Sequence, residues 1–583
     1  MARARPAPPQ SRALPLAEPC ALHGLSAIDR MRRALSRISL AQLAVLCALL
    51  AAFAVAMILP LLSLFAQAFQ DGAGRFVGLA NYRAYFGSPA LSRAVWNTID
   101  ISLVTAFYSV TLGFLYAYAL TRTNIRFKAF FRYVALVPIF IPTVVHALGL
   151  IYLLGRQGVL TRLGLQVELY GRLGIILAEI IFTFPQAFLM FFVTLKYADG
   201  RLYEAADSMG VKPLTKLWKI TLPEVKFTLV NAAFVCFTLA FTDFGAPMVI
   251  GGNFNVLATD LHTQITGHFN MSMGAVVGTL LLVPAALAFV VNRVTNISNM
   301  GAMSAKSTKL VVRRSPARDA FFFVFCSAIA LCLFALVGAL ALGAFSTLYP
   351  FNMTPTLANF RFDVATGGIG SFFNSVKMSL ATAAVGTAFV FVYSYMVEKT
   401  EGFGFLTKFG KLLSILPLAL PGMVIGISYI FFFNNAANPL NFVHGTVAIL
   451  VMANILSFFS VPFLTATGAL KKLDREFESV SDSMGAPRWK LFAFVTMPLS
   501  FPAALEVFMY YFVSAMVTIS ALVFLYTPNF RVASIAIAHM QAAGDFAQAA
   551  AMSLLILLIN VAARLLYELA MVFIRRRSKR RQA

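Results

Sequence analysis

Six polar side chains recur at matched places inside the apolar stretches of this 583-residue chain. At one constant offset along the chain, Glu179 pairs with Asn454, Asp243 with Thr518, and Asn231 with Glu506. Ionisable groups in lipid are costly and usually face the interior of a helical bundle or a water-filled path. These residues are therefore candidates for the lining of a translocation path. Hydrogen bonding between neighbouring helices is an equally weighted alternative.

The chain carries no sequence motif for nucleotide hydrolysis or for metal catalysis. It contains no G-x4-G-K-S/T phosphate loop, no H-E-x-x-H and no paired C-x-x-C. Its five cysteines show no metal-ligand spacing. We therefore expect no catalytic residue, no metal site and no cofactor, and any ATP that drives the protein must be bound by a partner.

A twenty-residue pattern occurs twice, at the same place in two similar apolar halves. Motif A (204–223) reads E-A-A-D-S-M-G, nine further residues, then I-T-L-P. Motif B (479–498) reads S-V-S-D-S-M-G, nine further residues, then V-T-M-P. Two matches of this length, separated by the same offset as the polar pairs, indicate an internal duplication.

Each motif is expected to form two short helical runs joined by a glycine. Gly210 and Gly485 allow the sharp turn that other residues resist. In motif A the runs are predicted over 201–209 and 213–219. Apolar residues recur at helical spacing in the second run, namely Leu214, Leu217 and Trp218 in motif A and Trp489, Leu491 and Phe492 in motif B. An exposed apolar face indicates a partner surface, and an amphipathic helix resting on the bilayer is the alternative.

The spacing E-A-A-x3-G-x9-I-x-L-P resembles the EAA loop of binding-protein-dependent ABC importer permeases. In that family the loop forms cytoplasmic coupling helices that sit in a groove of the ATPase subunit. The residues to which this resemblance gives an ATPase-coupling role are Glu204, Ala205, Ala206, Gly210, Leu214, Leu217, Trp218, Pro223, Asp482, Gly485, Trp489, Phe492 and Pro498. Motif B has Ser479 where the family pattern has glutamate, so we expect the two motifs to couple unequally.

The composition requires that most of the chain lies in lipid. Hydrophobic residues make up 60% of it, charged residues 12%, and the mean hydropathy is +0.80. Segments of about 20 apolar residues can cross a bilayer as helices. The predicted spans are 40–67, 98–122, 132–154, 173–195, 227–249 and 272–292, then 320–345, 371–397, 412–433, 446–469, 499–525 and 548–573. The expected fold class is all-α integral membrane, with about twelve transmembrane helices as two parallel repeats of six; by resemblance this is the type I, MetI-like, permease fold.

The placement of positive charge predicts the orientation. The net charge is +24, yet with a cytoplasmic N-terminus only nine of the 47 lysines and arginines fall in outer loops. These nine are Arg75, Arg83, Arg93, Arg156, Arg162, Arg172, Arg361, Lys377 and Arg531. This asymmetry is the positive-inside rule, and it argues against nucleic-acid binding. We expect a multi-pass protein of the bacterial plasma membrane with both termini and both motifs in the cytoplasm.

The duplication also predicts the domain layout. We expect a cytoplasmic tail (1–38), unit 1 (39–292), a cytoplasmic linker (293–319), unit 2 (320–574) and a basic cytoplasmic tail (575–583). The pairs Pro138 and Pro142 in unit 1 and Pro417 and Pro421 in unit 2 fall in the third span of each unit. Two prolines four residues apart should break that span.

The fused two-unit layout resembles the permeases of 2-aminoethylphosphonate importers and of ferric-ion importers, and residues 243–260 look most like the phosphonate group. The resemblance implies an ATP-driven importer with two copies of an ATP-binding subunit, an extracytoplasmic solute-binding protein and surrounding membrane lipids. Its expected cargo is 2-aminoethylphosphonate or a related phosphonate. The alternatives are ferric ion or a polyamine and, from another class of protein, a secondary transporter with internal repeats.

Overall fold

The computed structural model describes residues 40–299, 310, 312, 314–400, 404–474 and 476–582. The predicted N-terminal tail (1–38) lies outside these residues, as do residues 300–309, 311 and 313 of the predicted linker. The predicted basic tail is described to residue 582, where it continues the last helix of unit 2.

Unit 1 is built from helices. They are α1 (Leu40–Ala68), α2 (Ala80–Gly87), α3 (Pro89–Arg122), α4 (Lys128–Val134), α5 (Thr143–Leu154), α6 (Val159–Arg162), α7 (Arg172–Lys196), α8 (Gly200–Ser208), α9 (Pro213–Lys216), α10 (Leu222–Glu224), α11 (Lys226–Thr242), α12 (Gly245–Ile250), α13 (Leu257–His262) and α14 (Met271–Asn299). A 3-10 turn covers Val137–Phe140, and π-helical turns cover Leu217–Thr221 and Thr263–Gly267.

Unit 2 repeats the order of the long helices, divides the fourth span into two helices and adds a short hairpin. Its elements are α15 (Pro316–Phe345), β1 (Ser346–Leu348), β2 (Asn352–Pro355), α16 (Gly370–Lys399), α17 (Gly404–Ile415), α18 (Gly422–Phe433), α19 (Val447–Ser457), α20 (Ser460–Lys471), α21 (Glu476–Ser483), α22 (Arg488–Leu491), α23 (Met497–Val517), α24 (Ala533–Ala542) and α25 (Phe546–Gln582). Its 3-10 turns are Ala358–Phe360, Leu416–Ala419 and Asn441–Val443, and its π-helical turn is Phe492–Thr496. The two strands pair antiparallel.

The helices coincide in position with the twelve predicted spans. Eight described helices are long and apolar enough to cross a membrane, three bent helix pairs bring the number to eleven, and Met271–Leu287 is a shorter apolar segment. The all-α, two-repeat membrane fold is therefore confirmed.

The paired prolines break the third span of each unit, as predicted. In unit 1, α4 ends at Val134, a 3-10 turn comes next, and α5 starts at Thr143. In unit 2, α17 with its 3-10 turn is bent by 109° from α18. Proline lacks the amide that would continue the helical hydrogen bonds, so the chain turns at these places.

Two predicted span boundaries are wrong. The fifth spans were expected to reach residues 249 and 525, but α11 ends at Thr242 and α23 at Val517. Both helices stop because the next residue, Asp243 or Thr518, has extended backbone angles. The fourth span of unit 2 is also broken, with α19 and α20 bent by 61° where unit 1 has the single helix α7.

The two units interlock through their first spans. Helix α1 of unit 1 packs on α18 of unit 2, and α15 of unit 2 packs on α5 of unit 1. The ring of Phe53 on α1 lies 4.6 Å from the ring of Phe459 and 5.6 Å from that of Tyr393, both in unit 2. Gly149 admits the side chain of Leu336, which a β-carbon at residue 149 would approach to 2.8 Å. One hydrophobic core thus contains residues of both units.

Candidate functional site

Motif A forms a helix, a left-handed turn and a second helical arm. The carboxylate of Asp199 accepts the amide of Arg201 at 3.1 Å and caps the start of α8. Gly210 has a φ of +67°, which is the left-handed conformation that ends many helices. The amide of Val211 then donates to the carbonyl of Ala206 at 3.0 Å and closes the turn.

Motif B repeats this turn in detail. Gly485 has a φ of +63°, and the amide of Ala486 donates to the carbonyl of Ser481 at 3.0 Å. Ala486 corresponds to Val211 and Ser481 to Ala206, at the same offset that relates Gly485 to Gly210. The side chain of Asp482 is outside the described part of the structure.

The second arms share a π-helical turn and join their fifth spans differently. Leu217–Thr221 and Phe492–Thr496 are π-helical turns at equivalent positions, and such turns are frequent at functional sites. In motif A the arm Pro213–Glu224 is bent by 69° from α11. In motif B the residues Arg488–Val517 run on as one continuous span. The two arms are therefore unequal in how directly they continue into the membrane helix.

Both motifs expose large apolar side chains. In motif A, Leu214 is 67% exposed and Trp218 64% exposed, and in motif B, Trp489 is 63% exposed. Leu217 and Phe492 are half-buried. The prediction that Leu491 belongs to the exposed face is wrong, because it is only 7% exposed and turns inward. Sequence reasoning missed three exposed apolar residues next to these, which are Met209, Met484 and Phe494.

Of the other predicted coupling residues whose side chains are described, all but one lie on the surface of the motifs. Ala206 is buried and packs α8 against the protein. The exposed ones are Glu204, Ala205, Gly210, Pro223, Gly485 and Pro498, and Ser479 is exposed where motif A has Glu204. The structure thus places the single carboxylate of this matched pair on the surface of motif A.

Motif A is anchored to the second span through Tyr203. The guanidinium of Arg122, at the end of α3, lies 4.7 Å from the centre of the Tyr203 ring. The Tyr203 hydroxyl donates to Thr221 at 3.0 Å and lies 3.2 Å from a carboxylate oxygen of Glu224. Burial raises the pKa of the Tyr203 phenol, which keeps it a neutral donor.

Motif B is anchored at the equivalent position by an ion pair. Glu478 is the counterpart of Tyr203 in the repeat. Its carboxylate lies 2.9 Å from the ammonium of Lys399, at the end of α16. These side chains are only 14% and 7% exposed. Lys399 also donates to the carbonyl of Leu473 at 3.2 Å. At this matched position, motif A is therefore held by a cation–π contact and motif B by a buried salt bridge.

Glu179 and Asp243 come together inside unit 1. Both side chains are buried, and the charge on Asp243 acts on Glu179, whose two carboxyl oxygens have no hydrogen-bond partner among the described residues. Asp243 also accepts the hydroxyl of Thr143 at 2.9 Å and the amide of Ala246 at 2.9 Å, so it ties α5 to the start of α12. These Asp243 contacts are of the helix-joining kind that was the alternative to path lining.

The matched residues of unit 2 have different surroundings. Asn454 is buried, and its amide lies 3.5 Å from the sulfur of Met378. Thr518 is half-buried, and its carbonyl accepts the hydroxyl of Ser534 at 2.8 Å. Asn231 is buried whereas its partner Glu506 is exposed. A lining role for these residues remains a prediction.

The Glu179 carboxyl provides a direct test of that prediction. We expect Glu179→Gln to raise the midpoint of thermal unfolding, because the substitution removes a buried acid and its amide can donate to Asp243. If Glu179 also lines the path, uptake per folded complex should fall in the same preparation. Unchanged uptake with raised stability would remove Glu179 from the path.

A pocket opens at the end of unit 1 farthest from motif A. It has a volume of about 680 Å³ and is lined by Arg156, Glu168, Tyr170, Arg172 and the stretch 251–254. Two contacts of Arg172 with the Asp100 carboxylate, at 2.5 and 2.9 Å, hold the start of α7. The Arg156 guanidinium lies over the Tyr170 ring at 5.9 Å. The pocket thus contains two arginines and one glutamate, and one of the arginines, Arg172, is already paired with Asp100.

Side chains suited to hold a resident metal do not converge in the described part of the chain. No three histidine, cysteine, aspartate or glutamate residues lie together there in a geometry that could bind an ion. Two oppositely charged residues of α25, Arg564 and Glu568, form an ion pair at 2.7 Å.

A family model matches both units. Described as a binding-protein-dependent transport system inner membrane component, it covers residues 109–299 and 399–576, well over half the chain. Each matched segment contains one motif and the fifth and sixth spans beyond it.

Several curated proteins are similar to the chain. A protein of Haemophilus influenzae named as a ferric transport system permease, FbpB 1, is 28% identical over 498 residues, which cover 81% of this chain and 76% of that protein. The ferric transport system permease protein FbpB of Actinobacillus pleuropneumoniae is 27% identical over 497 residues, covering 83% of this chain and 72% of its own. The chloroplastic sulfate permease 2 of Chlamydomonas reinhardtii is 29% identical over 200 residues, covering 34% of this chain and 52% of its own.

Proposed function

The chain belongs to the family of binding-protein-dependent transport system inner membrane components, and on this premise we propose that it forms the whole translocation path of an ATP-driven importer. One observation carries the proposal, namely that the same turn with exposed apolar side chains is built twice. Each motif receives one copy of an ATPase subunit, which binds and hydrolyses the ATP. Closure of the two ATPase copies moves the motifs and, through them, the fifth spans.

The proposed cargo is ferric ion. Two relatives that match more than four-fifths of this chain are named for ferric transport, which favours the ferric-ion alternative over the phosphonate that the sequence resemblance put first. 2-Aminoethylphosphonate remains a second candidate because of the stretch 243–260, and a polyamine is a third.

Uptake of radiolabelled cargo distinguishes these candidates. Vesicles containing the permease and its ATPase are supplied with the cognate binding protein loaded with iron(III), 2-aminoethylphosphonate or a polyamine. We expect ATP-dependent uptake of iron(III) and none of the other two. Accumulation of 2-aminoethylphosphonate alone would replace the ferric assignment and leave the importer assignment standing.

The proposed orientation places both motifs in the cytoplasm, as the charge asymmetry predicts. The pocket around Arg156 and Arg172 then lies on the outer face, where the binding protein can dock on unit 1. Loaded binding protein and ATP must together favour an outward-open state, since a ligand with equal affinity for both states shifts nothing.

Unequal motifs predict unequal effects of two matched substitutions. We expect Glu204→Ala to reduce uptake at least tenfold, because a charge-assisted contact with the ATPase contributes about 1.5–3 kcal/mol. Ser479→Ala should leave uptake nearly unchanged, since Ser479 offers no carboxylate. Rates of cargo uptake at a fixed ATPase content measure both. Equal losses in the two variants would refute the asymmetry, and Ser479→Glu provides the reverse control.

A further inference from the structure

Among the contacts that join the units at the end of the molecule opposite the motifs, two are made by the short helices beyond the fifth spans. In one, the side-chain amide of Gln541 on α24 of unit 2 donates to the backbone carbonyl of Val249 on α12 of unit 1, at 3.0 Å. This bond links residues that are far apart in the sequence and belong to different units. It reaches the last turn of the short helix that comes after the fifth span of unit 1.

The second contact runs in the opposite direction. The imidazole ring of His262 on α13 of unit 1 stacks on the ring of Phe524 of unit 2, with centroids 6.0 Å apart. On its other side the same imidazole lies 5.0 Å from the ring of Phe244. Val249 and Phe524 are equivalent positions of the repeat, and α13 and α24 are equivalent helices. Each unit therefore uses the same short helix, beyond its fifth span, to hold the same position of the other unit.

The chemistry of the two contacts differs because the reaching residues are not duplicated. Allowing for the one-residue insertion that aligns Asn253 with Asn529, Gln541 corresponds to Ile265 and His262 to Ala538. Unit 2 contacts unit 1 through the amide hydrogen bond of Gln541, and unit 1 contacts unit 2 through the ring of His262. A pseudo-twofold arrangement thus carries two unlike links.

A third link lies nearer the middle of the molecule. The buried amide of Asn560 on α25 donates to the carbonyl of Phe140 at 2.8 Å. Phe140 belongs to the turn between Pro138 and Pro142, where helical hydrogen bonding is interrupted. A freed backbone group at this depth needs a partner from another helix, and unit 2 supplies it.

We propose that Gln541 and His262 form an asymmetric clasp that closes the translocation path at the end opposite the motifs, and that both contacts must break for this end to open. The inference rests on the importer function proposed above and identifies gating residues for it. The segments held by the clasp come directly after α11 and α23, the fifth spans, whose other ends carry the motifs. Movement of a motif can therefore reach the clasp along the fifth span, through one continuous helix in unit 2 and across a bend of 69° in unit 1.

The free energies of these two contacts are suited to a gate. A side-chain hydrogen bond to a carbonyl typically changes a conformational equilibrium by roughly fivefold, and an aromatic contact does so by a similar factor. Such links favour the closed end without fixing it. Binding protein and ATP can then open it by coupling free energies of ordinary size.

The clasp is tested by measuring the opening directly on the complete complex of permease and ATPase in lipid nanodiscs. Asn253 and Asn529 are exposed at equivalent places on the two units, so spin labels on cysteines at these sites report the distance across the closure, once the five native cysteines are replaced. Without nucleotide, Gln541→Leu should raise the ratio of open to closed complexes about fivefold. His262→Leu should act in the same direction.

Gln264 is the matched control. Its buried side-chain amide donates at 3.3 Å to Asp260, so this hydrogen bond stays within unit 1. Gln264→Leu should leave the distance distribution at the parental position. The clasp is overturned if Gln541→Leu leaves the distribution unchanged, or if Gln264→Leu shifts it equally. Gln541→Met, which keeps the side-chain length without the amide, replaces Gln541→Leu if that variant fails to assemble.

Uptake by the parental complex separates failure of the clasp from failure of the proposed function. ATP-dependent uptake with no change of distance in Gln541→Leu overturns the clasp alone. Absence of ATP-dependent uptake in the parental complex overturns the importer function, whatever the distances show.

Discussion

Gly210→Val and Gly485→Val are each expected to reduce ATP-driven uptake at least tenfold. Both glycines have left-handed backbone angles, with φ of +67° and +63°, and a β-branched residue resists this conformation. A β-carbon at either position would meet nothing within 4 Å, so the effect must come from the backbone and not from a clash. A strain of about 1–2 kcal/mol per residue would redirect the second arm of the motif and its exposed apolar side chains.

Asparagine provides the matched control at both positions. It tolerates left-handed angles better than other non-glycine residues, so Gly210→Asn and Gly485→Asn should retain most uptake. Uptake rates and the amount of ATPase retained on the purified permease are measured together. Normal uptake in the valine variants would show that the turn is not needed for coupling.

Breaking the buried ion pair of motif B is expected to have the second large effect. Glu478→Ala leaves the Lys399 ammonium, only 7% exposed, without its carboxylate, and removing one partner of a buried pair costs about 3–5 kcal/mol. We expect α21 to detach from α16, amide hydrogen exchange in residues 476–483 to speed up, and uptake to fall more than tenfold.

Two further variants identify the cause. Lys399→Met combined with Glu478→Met removes both charges and should restore much of the slow exchange, because a pair of apolar residues often replaces a buried ion pair without loss. In motif A, Tyr203→Phe keeps the ring under Arg122 and removes only the hydroxyl. It should therefore weaken the anchoring of motif A by only about 1 kcal/mol of free energy. Equal losses of uptake in Tyr203→Phe and Glu478→Ala would mean that the two anchors do not differ in strength.

The membrane fold could be predicted from the sequence because its determinants are local. Apolar length sets each span, and the proline pairs at Pro138 and Pro417 break the third spans where they stand. The turns at Gly210 and Gly485 depend on the conformational freedom of glycine. Positions determined by single residues and their near neighbours were therefore predictable.

The remaining features depend on contacts between distant segments. The Lys399–Glu478 pair joins two helices that are separated by several others along the chain, and no spacing rule links them. The bend of 69° after motif A has no counterpart in motif B, although both motifs share the proline that starts the span. The inward turn of Leu491 results from packing against the protein, which a helical-spacing pattern cannot reveal.

Site roles are predictable only in part for the same reason. The offset of the repeat paired Asn231 with Glu506, but one side chain is buried and the other exposed. A duplicated chain keeps its backbone pattern more closely than its side-chain surroundings. The unlike anchors at Tyr203 and Glu478 are a further instance, since the sequence aligns these positions and only the structure shows that both hold a motif to a second span.

We propose that this chain is the path of an importer driven by a separate ATPase. The most direct test is cargo uptake by proteoliposomes containing the purified permease, with and without the ATPase subunit, binding protein and ATP, and with proton or sodium gradients in place of ATP. We expect uptake only when ATPase, ATP and loaded binding protein are all present, and no nucleotide hydrolysis by the permease alone. Uptake driven by an ion gradient without ATP would contradict it and identify a secondary transporter.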